Sequence, residues 1–173
     1  MPKLNMVEVA KRLDAGTVAL SIADAALPDM PLCYVNPAFT AITGYPAERM
    51  IGENCRLLQD DLENEDARAK MRDALSRAAP AQIVFRNRRA DGTVFDNLVV
   101  IEPLTDREGN LAYVVGAQFA LTPTTHPAKA QSAGHEIASE IEKLLELNER
   151  LRATSRQALA RSMAASVKLW LDR

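Results

Sequence analysis

The thiol of Cys55 lies in the stretch of this sequence with the most distinctive chemistry, Gly52-Glu53-Asn54-Cys55-Arg56-Leu57-Leu58-Gln59. An amide precedes the thiol, a guanidinium follows it, and a second amide comes four residues later. Amide groups both donate and accept hydrogen bonds, and guanidinium groups pair with phosphates, so this setting suits a polar, phosphorylated ligand. A cysteine that only fills a core needs no such neighbours. We therefore expect Cys55 to meet a ligand.

The composition narrows the class of protein before any fold is considered. The chain has 173 residues, 47% of them hydrophobic, and a net charge of -2, which gives no basic excess for nucleic acid or an anionic membrane. The segment from Met1 to Lys11 lacks the apolar run of a signal peptide, and no stretch approaches the ~20 apolar residues that span a bilayer. The expectation is a cytoplasmic protein without a membrane segment.

Metal and disulfide chemistry are poorly supported by the residues available. The two cysteines, Cys33 and Cys55, are too few for a disulfide framework or an all-cysteine zinc site. The two histidines, His126 and His135, lie in or beside a segment rich in Pro, Ala and Thr. We expect no metal site and no Ser-His catalysis.

The elements that must position Cys55 follow from periodicity and from turn residues. Asn36-Pro37 is typical of a helix start and Gly44 of its end, while Ala90-Asp91-Gly92 predicts a hairpin turn. In chain order the pattern predicts a helix over Leu4 to Asp14, strands over Thr17 to Ile22 and Leu32 to Val35, short helices after Pro37 and Pro46, a helix over Leu62 to Ala78, and strands over Gln82 to Arg89, Thr93 to Leu104 and Leu111 to Leu121.

This order of elements predicts an α+β fold, with a five-stranded antiparallel sheet that carries short helices on one face. The predicted organisation is an N-terminal helical cap over residues 1–16, a sensor domain over 17–121, a linker over 122–134 rich in Pro and Thr, and a C-terminal helical extension over 135–173. The extension bears a wide apolar stripe formed by Ile137, Ile141, Leu144, Leu145, Leu147 and Leu151, and a further apolar face formed by Ala158, Leu159, Met163, Val167 and Trp170.

The Cys55 stretch resembles the signature G-R-N-C-R-F-L-Q of the light-oxygen-voltage (LOV) family of flavin photoreceptors, which have the PAS fold. Six of the eight positions match, and Glu53 and Leu57 are the departures. The resemblance extends without a gap over roughly Thr17 to Leu121, and the predicted order of elements is that of the PAS fold. It is similar in particular to the short bacterial LOV proteins, which consist of a LOV core with helical extensions.

The resemblance implies a site for flavin mononucleotide (FMN), built from scattered residues. It places Cys55 beside the isoalloxazine ring and assigns the phosphate to Arg56 and Arg72. The residues expected to line the flavin through their amides are Asn54, Gln59, Asn87, Asn97 and Gln118. Amides suit the pyrimidine edge of the ring, which alternates carbonyl acceptors with an N–H donor. Val35, Leu58, Val99 and Ile101 are expected to sandwich the rings, and Glu53 to face solvent.

The implied function is that of a blue-light photoreceptor. In this family the cysteine sulfur bonds reversibly to C4a of the photoexcited flavin while N5 is protonated, which assigns the photochemical role to Cys55. Gln118 is expected to relay the signal, because its amide must rearrange when N5 changes from acceptor to donor. A mismatched pair would cost about 1–3 kcal/mol, enough to shift a two-state element.

Each residue also has an ordinary structural interpretation, and two other functions stay open. Singly, Asn87 and Asn97 are typical of a solvated hairpin and Arg72 of a helix surface, and Cys33 is expected to be a small buried hydrophobe. One alternative is a PAS module that binds another ligand or only a partner. The other is a remnant of a histidine kinase sensor, because His135-Glu136-Ile137 resembles the start of a phosphoacceptor helix. The Arg and Pro that usually follow are missing, as are glycine-rich ATP boxes, so we do not expect an enzyme.

The helical extension is expected to carry the output. Its stripe over Ile137 to Leu151 is too wide for a lone solvated helix, and Val167, Trp170 and Leu171 add a second apolar patch. A homodimer through the extension is therefore favoured over a monomer that packs these helices within one chain. Light is expected to alter the association, with an unknown downstream protein as a further partner.

Overall fold

The fold is built on one antiparallel sheet of five strands in the order β2-β1-β5-β4-β3. The computed structural model describes residues 5–106, 108–121, 157–158 and 160–169. The strands are β1 (Ala19–Asp24), β2 (Leu32–Val35), β3 (Ala81–Arg88), β4 (Val94–Thr105) and β5 (Leu111–Leu121). The predicted α+β fold with a five-stranded antiparallel sheet is confirmed, and β2 and β5 have the predicted bounds.

Short helices connect the strands in the order that the sequence predicts. They are α1 (Met6–Leu13), α2 (Pro37–Thr43), α3 (Ala47–Met50), a 3-10 helix (Cys55–Gln59) and α4 (Glu65–Ser76). The helix predicted over Leu62 to Ala78 is shorter at both ends. Asn64 is its N-cap, and Ala78 has a φ of 45°, which an α-helix does not tolerate.

The signals that bound α2 act as predicted. The side chain of Asn36 accepts a hydrogen bond of 3.0 Å from the backbone N–H of Phe39, which satisfies one free donor of the first turn. Pro37 is the first helical residue. Gly44 ends the helix with a φ of 74°, in the left-handed region that glycine adopts at low cost.

Alternation along the strands gives the sheet two different faces. On β5, Gly116 and Gln118 point to one side, which we call the cavity face, while Val115 and Ala117 point to the other, which we call the outer face. Helices α2 and α3 pack on the cavity face, where Phe39 and Met50 are fully buried. The 3-10 helix and α4 lie over the remainder of this face and leave a cavity beneath them.

The outer face is covered by α1 and by the C-terminal helical segment, residues 160–169. Ala160, Ala164 and Val167 of this segment are buried in the same cluster as Val9 and Leu13 of α1. Helix α1 and the C-terminal helical segment thus contact each other over one face of the sheet. Helices therefore cover both faces, with the predicted short helices on one and the predicted extensions on the other.

On α1, Val7 is 66% exposed, because burial at positions 9 and 13 turns position 7 toward solvent. One expectation about the C-terminal extension is wrong. Val167, expected in an apolar patch for another subunit, is fully buried within its own chain. Ala158 is exposed and Met163 is partly buried. Leu159, Trp170, Leu171 and the stripe over 137–151 lie outside the described residues, as do the linker and the histidines.

Among the described helices, none has the length and apolar character that crossing a membrane requires.

Candidate functional site

A cavity of about 810 Å³ lies between the cavity face of the sheet and the layer made by the 3-10 helix and α4. All of the residues that the sequence assigned to a ligand through their polar groups line it, namely Asn54, Cys55, Arg56, Gln59, Arg72, Asn87, Asn97 and Gln118. They come from the 3-10 helix and its cap, α4, β3, β4 and β5. Residues up to 64 positions apart in the chain thus surround a single space.

Cys55 begins the 3-10 helix, and its side chain is partly buried at the cavity wall. Burial raises the pKa of the Cys55 thiol to about 12. Removal from water penalises the charged thiolate relative to the neutral thiol. Cys55 is therefore a neutral thiol at physiological pH and carries its own proton.

Asn54 holds the turn that presents Cys55. Its Oδ1 accepts a hydrogen bond of 2.9 Å from the backbone N–H of Arg56, which caps the 3-10 helix, and its Nδ2 donates to the backbone carbonyl of Asp29. Both ends of this amide are therefore engaged by the chain. Asn54 lines the cavity as expected, while its hydrogen bonds fix the loop geometry around Cys55.

Three amides on adjacent strands line the cavity and carry buried, unpaired oxygens. Asn87, Asn97 and Gln118 are 4%, 1% and 2% exposed, and the side-chain carbonyl oxygen of each is buried without a hydrogen-bond partner among the described residues. A buried polar atom left unpaired costs roughly 1–3 kcal/mol, so three in one cavity call for a polar ligand. The register of β3, β4 and β5 brings all three to the cavity face.

Arginines and acidic partners lie at the mouth of the cavity. The guanidinium of Arg56 lies 2.6 Å from Asp29, and that of Arg72 lies 3.2 Å from Glu65; all four side chains are more than half exposed. Such exposed pairs are weak, so a phosphate can compete for either guanidinium. The positions of Arg56 and Arg72 fit an anionic end of a ligand that projects toward solvent.

Arg68 is a cavity residue that the sequence did not assign to the ligand. It lies one turn before Arg72 on α4, and its Nε donates a hydrogen bond of 2.7 Å to Oε1 of Gln59. The i,i+4 spacing of the two arginines was the available signal. Because Arg68 occupies the oxygen of Gln59, the Nε2 donor of that buried amide is the end left to face a ligand.

Ser21 and Gly116 were also missed. Both line the cavity, and the hydroxyl of Ser21 accepts a hydrogen bond of 2.9 Å from Nε2 of Gln118. Ser21 is a polar residue within the buried apolar stretch from Ala19 to Ile22, which is a weak signal in the sequence. The contact itself joins residues 97 positions apart, so it depends on the pairing of β1 with β5.

The apolar walls differ in part from the expectation. Val99 and Ile101 line the cavity, as predicted, but Val35 and Leu58 do not. These two side chains pack instead in the cluster with Phe39 and Met50, beneath α2 and α3. The turn of the 3-10 helix directs Leu57 to the cavity and Leu58 to the core.

Two further residues behave as the sequence suggests. Glu53 is half exposed at the cavity rim, 3.4 Å from the guanidinium of Arg49. Cys33 lies on β2, its thiol donates a hydrogen bond of 3.4 Å to the carbonyl oxygen of Ile22, and burial raises its pKa to about 11. Cys33 packs against the outer-face cluster, away from the cavity.

A more open depression of about 1010 Å³ lies between the start of α4 and β3. Acidic residues from Asp60 to Asp66 form much of its wall. Arg88 already pairs with Asp60 at 2.9 Å and with Asp61 at 2.7 Å, which lowers the pKa of Asp61. This exposed depression has no buried unpaired amides, unlike the cavity around Cys55.

Comparison with known proteins places these features in a family. Residues 23–122 match the PAS domain model. A blue-light photoreceptor of Listeria monocytogenes is 37% identical over 136 residues, which cover 79% of this chain and 52% of that protein. A blue-light-activated histidine kinase of Erythrobacter litoralis is 34% identical over 125 residues, covering 72% of this chain and 34% of the kinase. The chain thus spans about half or less of these curated relatives.

The LOV protein of Rhodobacter sphaeroides is similar over nearly its whole length. Its crystal structure is 37% identical to this chain, covers 97% of both chains and gives a TM-score of 0.65. The match therefore extends over nearly the whole of both chains. This chain belongs to the PAS-domain family and, within it, to the light-oxygen-voltage group.

Proposed function

We propose that this chain is a blue-light photoreceptor that binds FMN in the cavity around Cys55. The observation that carries the proposal is the set of three buried, unpaired amide oxygens that share this cavity with the Cys55 thiol. The Listeria relative is a blue-light photoreceptor, and the family it shares with this chain implies a flavin. The residues present fit that chromophore in both polarity and charge.

The cavity offers complementary groups for each part of FMN. Asn87 and Asn97 supply amides that match the alternating acceptors and donor of the pyrimidine edge. Val99 and Ile101 supply apolar contacts for the ring faces. Arg56, Arg68 and Arg72 line the cavity, and the guanidinium groups of Arg56 and Arg72 are more than half exposed, so these residues would hold a terminal phosphate.

Bound flavin supplies absorption of blue light and, when excited, a ring carbon to which a thiol adds reversibly. The contribution of Cys55 is a protonated thiol that brings both a sulfur and a proton to the cavity. The Asn54 cap holds the 3-10 helix so that this thiol stays at the cavity wall. Cys33 has no such role, since it lies outside the cavity.

Gln118 is suited to report a change of protonation at N5 of the flavin. Its amide would donate from Nε2 to an unprotonated N5 and would accept at Oε1 from a protonated N5. Gln118 lies on β5, which is the central strand of the sheet and is paired with both β1 and β4. Ala117, its neighbour in the chain, belongs to the outer-face cluster that contains the C-terminal helical segment. A rearrangement at Gln118 therefore has a short route to that segment.

The output that we propose is a light-dependent change in association of a homodimer, with a downstream protein as a further partner. The apolar stripe over Ile137 to Leu151 supports this proposal from sequence alone. The remainder of the extension contributes less than expected, since Val167 is used within its own chain. A cytoplasmic location accords with such an output.

A PAS module for another ligand is the second candidate, and the Erythrobacter relative shows that this kind of domain also occurs in histidine kinases. The unpaired amides accept other polar ring systems, and this observation keeps the candidate open. We do not propose an enzymatic activity for this chain. The absorption spectrum of the purified protein separates the two candidates, since a LOV domain shows the bands of a flavin and these bleach in blue light.

The test is a light-minus-dark absorption spectrum of the purified full chain, followed until it recovers. We expect flavin absorption that bleaches in blue light and returns in darkness. Cys55→Ala should retain the flavin and lose the reversible bleaching, while Cys33→Ala, the matched control, should keep both. A colourless protein would favour the second candidate, and normal bleaching in Cys55→Ala would remove Cys55 from its role.

A further inference from the structure

The hydroxyl of Ser21 is a buried polar group that contacts Gln118. Ser21 on β1 is 5% exposed, and Gln118 on β5 is 2% exposed. Nε2 of Gln118 donates a hydrogen bond of 2.9 Å to Oγ of Ser21. In a buried setting such a bond determines which end of an amide faces which neighbour, because an unpaired end carries a desolvation cost.

Gly116 leaves the space in which this contact forms. Ser21 is opposite Gly116 in the β1–β5 register, and Gln118 is opposite Ala19, so the Ser21–Gln118 contact runs diagonally across the ladder. A Cβ at Gly116 would lie 2.9 Å from both Nε2 of Gln118 and Oγ of Ser21. Any larger residue would separate the two groups, so the three positions act as one unit.

The other end of the Gln118 amide, Oε1, is buried and has no partner among the described residues. Rotation of the amide exchanges its two ends. A hydroxyl can accept from Nε2 in one orientation and donate to Oε1 in the other, which an aliphatic side chain cannot do. Ser21 can therefore pair with whichever end of the amide faces away from the ligand.

We propose that Ser21 is a positioning residue for Gln118, whose hydroxyl pairs with the far end of the amide in both of its orientations. The hydrogen bond itself follows from the chain alone. Its consequence for the light response rests on the proposed function, because only a bound flavin gives the two orientations different partners.

Loss of the hydroxyl affects the two orientations unequally. An unpaired buried N–H is tolerated less well than an unpaired buried carbonyl oxygen. Ser21→Ala therefore penalises the orientation in which Nε2 faces position 21 and Oε1 faces the ligand. This is the orientation that would pair with a protonated N5. The lit state is destabilised relative to the dark state, and dark recovery becomes faster.

The first arm of the test measures the hydrogen bond between Ser21 and Gln118 and needs no light. In the full chain, with and without added FMN, the side-chain amide signals of Gln118 are assigned by NMR and their hydrogen exchange is measured. Ser21→Ala should shift these signals and raise their exchange rate about fivefold, which corresponds to about 1 kcal/mol. Ser21→Thr, which keeps the hydroxyl, should retain the protection, as should Ser76→Ala at an exposed serine of α4.

The second arm measures dark recovery after blue light in the same variants loaded with FMN. Recovery should be about fivefold faster in Ser21→Ala and within about twofold of the parent chain in Ser21→Thr. Unchanged exchange in Ser21→Ala, or equal acceleration in both variants, overturns the positioning role. If the chain binds no FMN, the second arm has no signal and the proposed function fails, while the first arm still decides the contact.

Discussion

The thiol of Cys55 shows how one residue combines accessibility to a ligand with chemical inertness in the dark. Its pKa is raised to about 12 because burial penalises the charged form. Between pH 9 and 12 the unfolded chain releases this proton while the folded chain retains it, so the thiol lowers the folding stability as pH rises through that window and has no such effect below it. At neutral pH the neutral thiol is the stable form in both states.

This pKa predicts slow alkylation. At pH 7 to 9, iodoacetamide should modify Cys55 in the folded Cys33→Ala variant roughly two to three orders of magnitude more slowly than in the urea-unfolded chain, since the thiolate is the reactive species. Mass spectrometry of timed samples measures both rates. Comparable rates in folded and unfolded chains would contradict the neutral, buried thiol.

The arginines at the cavity mouth predict a preference for a phosphorylated flavin. Replacement of Arg56 and Arg72 by Ala should lower the preference for FMN over riboflavin roughly tenfold, because exposed charge pairs each contribute about 1 kcal/mol or less. Fluorescence titration of both flavins measures the ratio of the two dissociation constants. Arg49→Ala, outside the cavity but paired with Glu53, is the matched control. A double variant with the parental ratio would rule out the phosphate role.

At the scale of elements, the C-terminal helical segment is attached to the sheet by more than apolar contact. Nε of Arg161 lies 3.2 Å from Oε1 of Glu102 on β4, and the Glu102 side chain is only 11% exposed. The carboxylate stands on the outer face next to the apolar cluster that contains Ala160 and Ala164. A carboxylate in such a position needs a partner, so Arg161 ties the docking of this segment to the sheet.

This ion pair predicts an asymmetric response to substitution. Arg161→Met keeps an aliphatic stem but leaves Glu102 unpaired, and it should lower the free energy of unfolding by roughly 1 to 3 kcal/mol. Adding Glu102→Gln should restore part of the loss, because no buried charge remains. Urea denaturation followed by circular dichroism measures both effects.

The exposed pair formed by Asp73 of α4 and Arg77, the C-cap of that helix, provides the control for that experiment. Arg77→Ala should change the stability by well under 1 kcal/mol, as is usual for surface ion pairs. If Arg161→Met were equally mild, the Glu102 pair would have no part in docking the segment.

At the scale of the whole molecule, the outer face of the sheet is where α1 and the C-terminal helical segment pack together, so the proposed signal from the cavity would reach them there. The cavity face and the outer face alternate along β5, so Gln118 and Ala117 are adjacent in the backbone and lie on opposite sides of the sheet. A change in one layer therefore acts on the other through a single strand. The segment that would pass this change to another subunit includes the apolar stripe over 137–151.

We expect a homodimer in darkness that blue light releases, because strain at Gln118 breaks a fitted interface more readily than it makes one. Size-exclusion chromatography with light scattering, in darkness and under blue light across micromolar concentrations, measures the association. Leu144→Lys should weaken the dimer, and Val84→Lys, at an exposed position of the β3 edge, should not. An unchanged monomer in both conditions would refute this output.

The sequence by itself determined the local structure and the types of residue in the site. The cap at Asn36, the left-handed Gly44 and the strand from Leu32 to Val35 depend on neighbouring residues only, so they can be read in order along the chain. The same holds for the polar residues of the cavity, whose chemistry is fixed by their side chains. Whether Asn87, Asn97 and Gln118 share one face depends on the register between β3, β4 and β5, which the structure supplies.

The tertiary structure alone decided which groups meet. The hydrogen bond between Ser21 and Gln118 spans 97 positions, and the ion pair of Arg161 with Glu102 spans 59. Local periodicity in the sequence does not predict pairs that are so far apart. Tertiary packing also decides that Val35 and Leu58 lie in the core and that Leu57 lies at the cavity. Periodicity shows that a residue has a buried side, but which neighbour fills that side depends on strand register and helix placement, which are set by the packing of the whole domain.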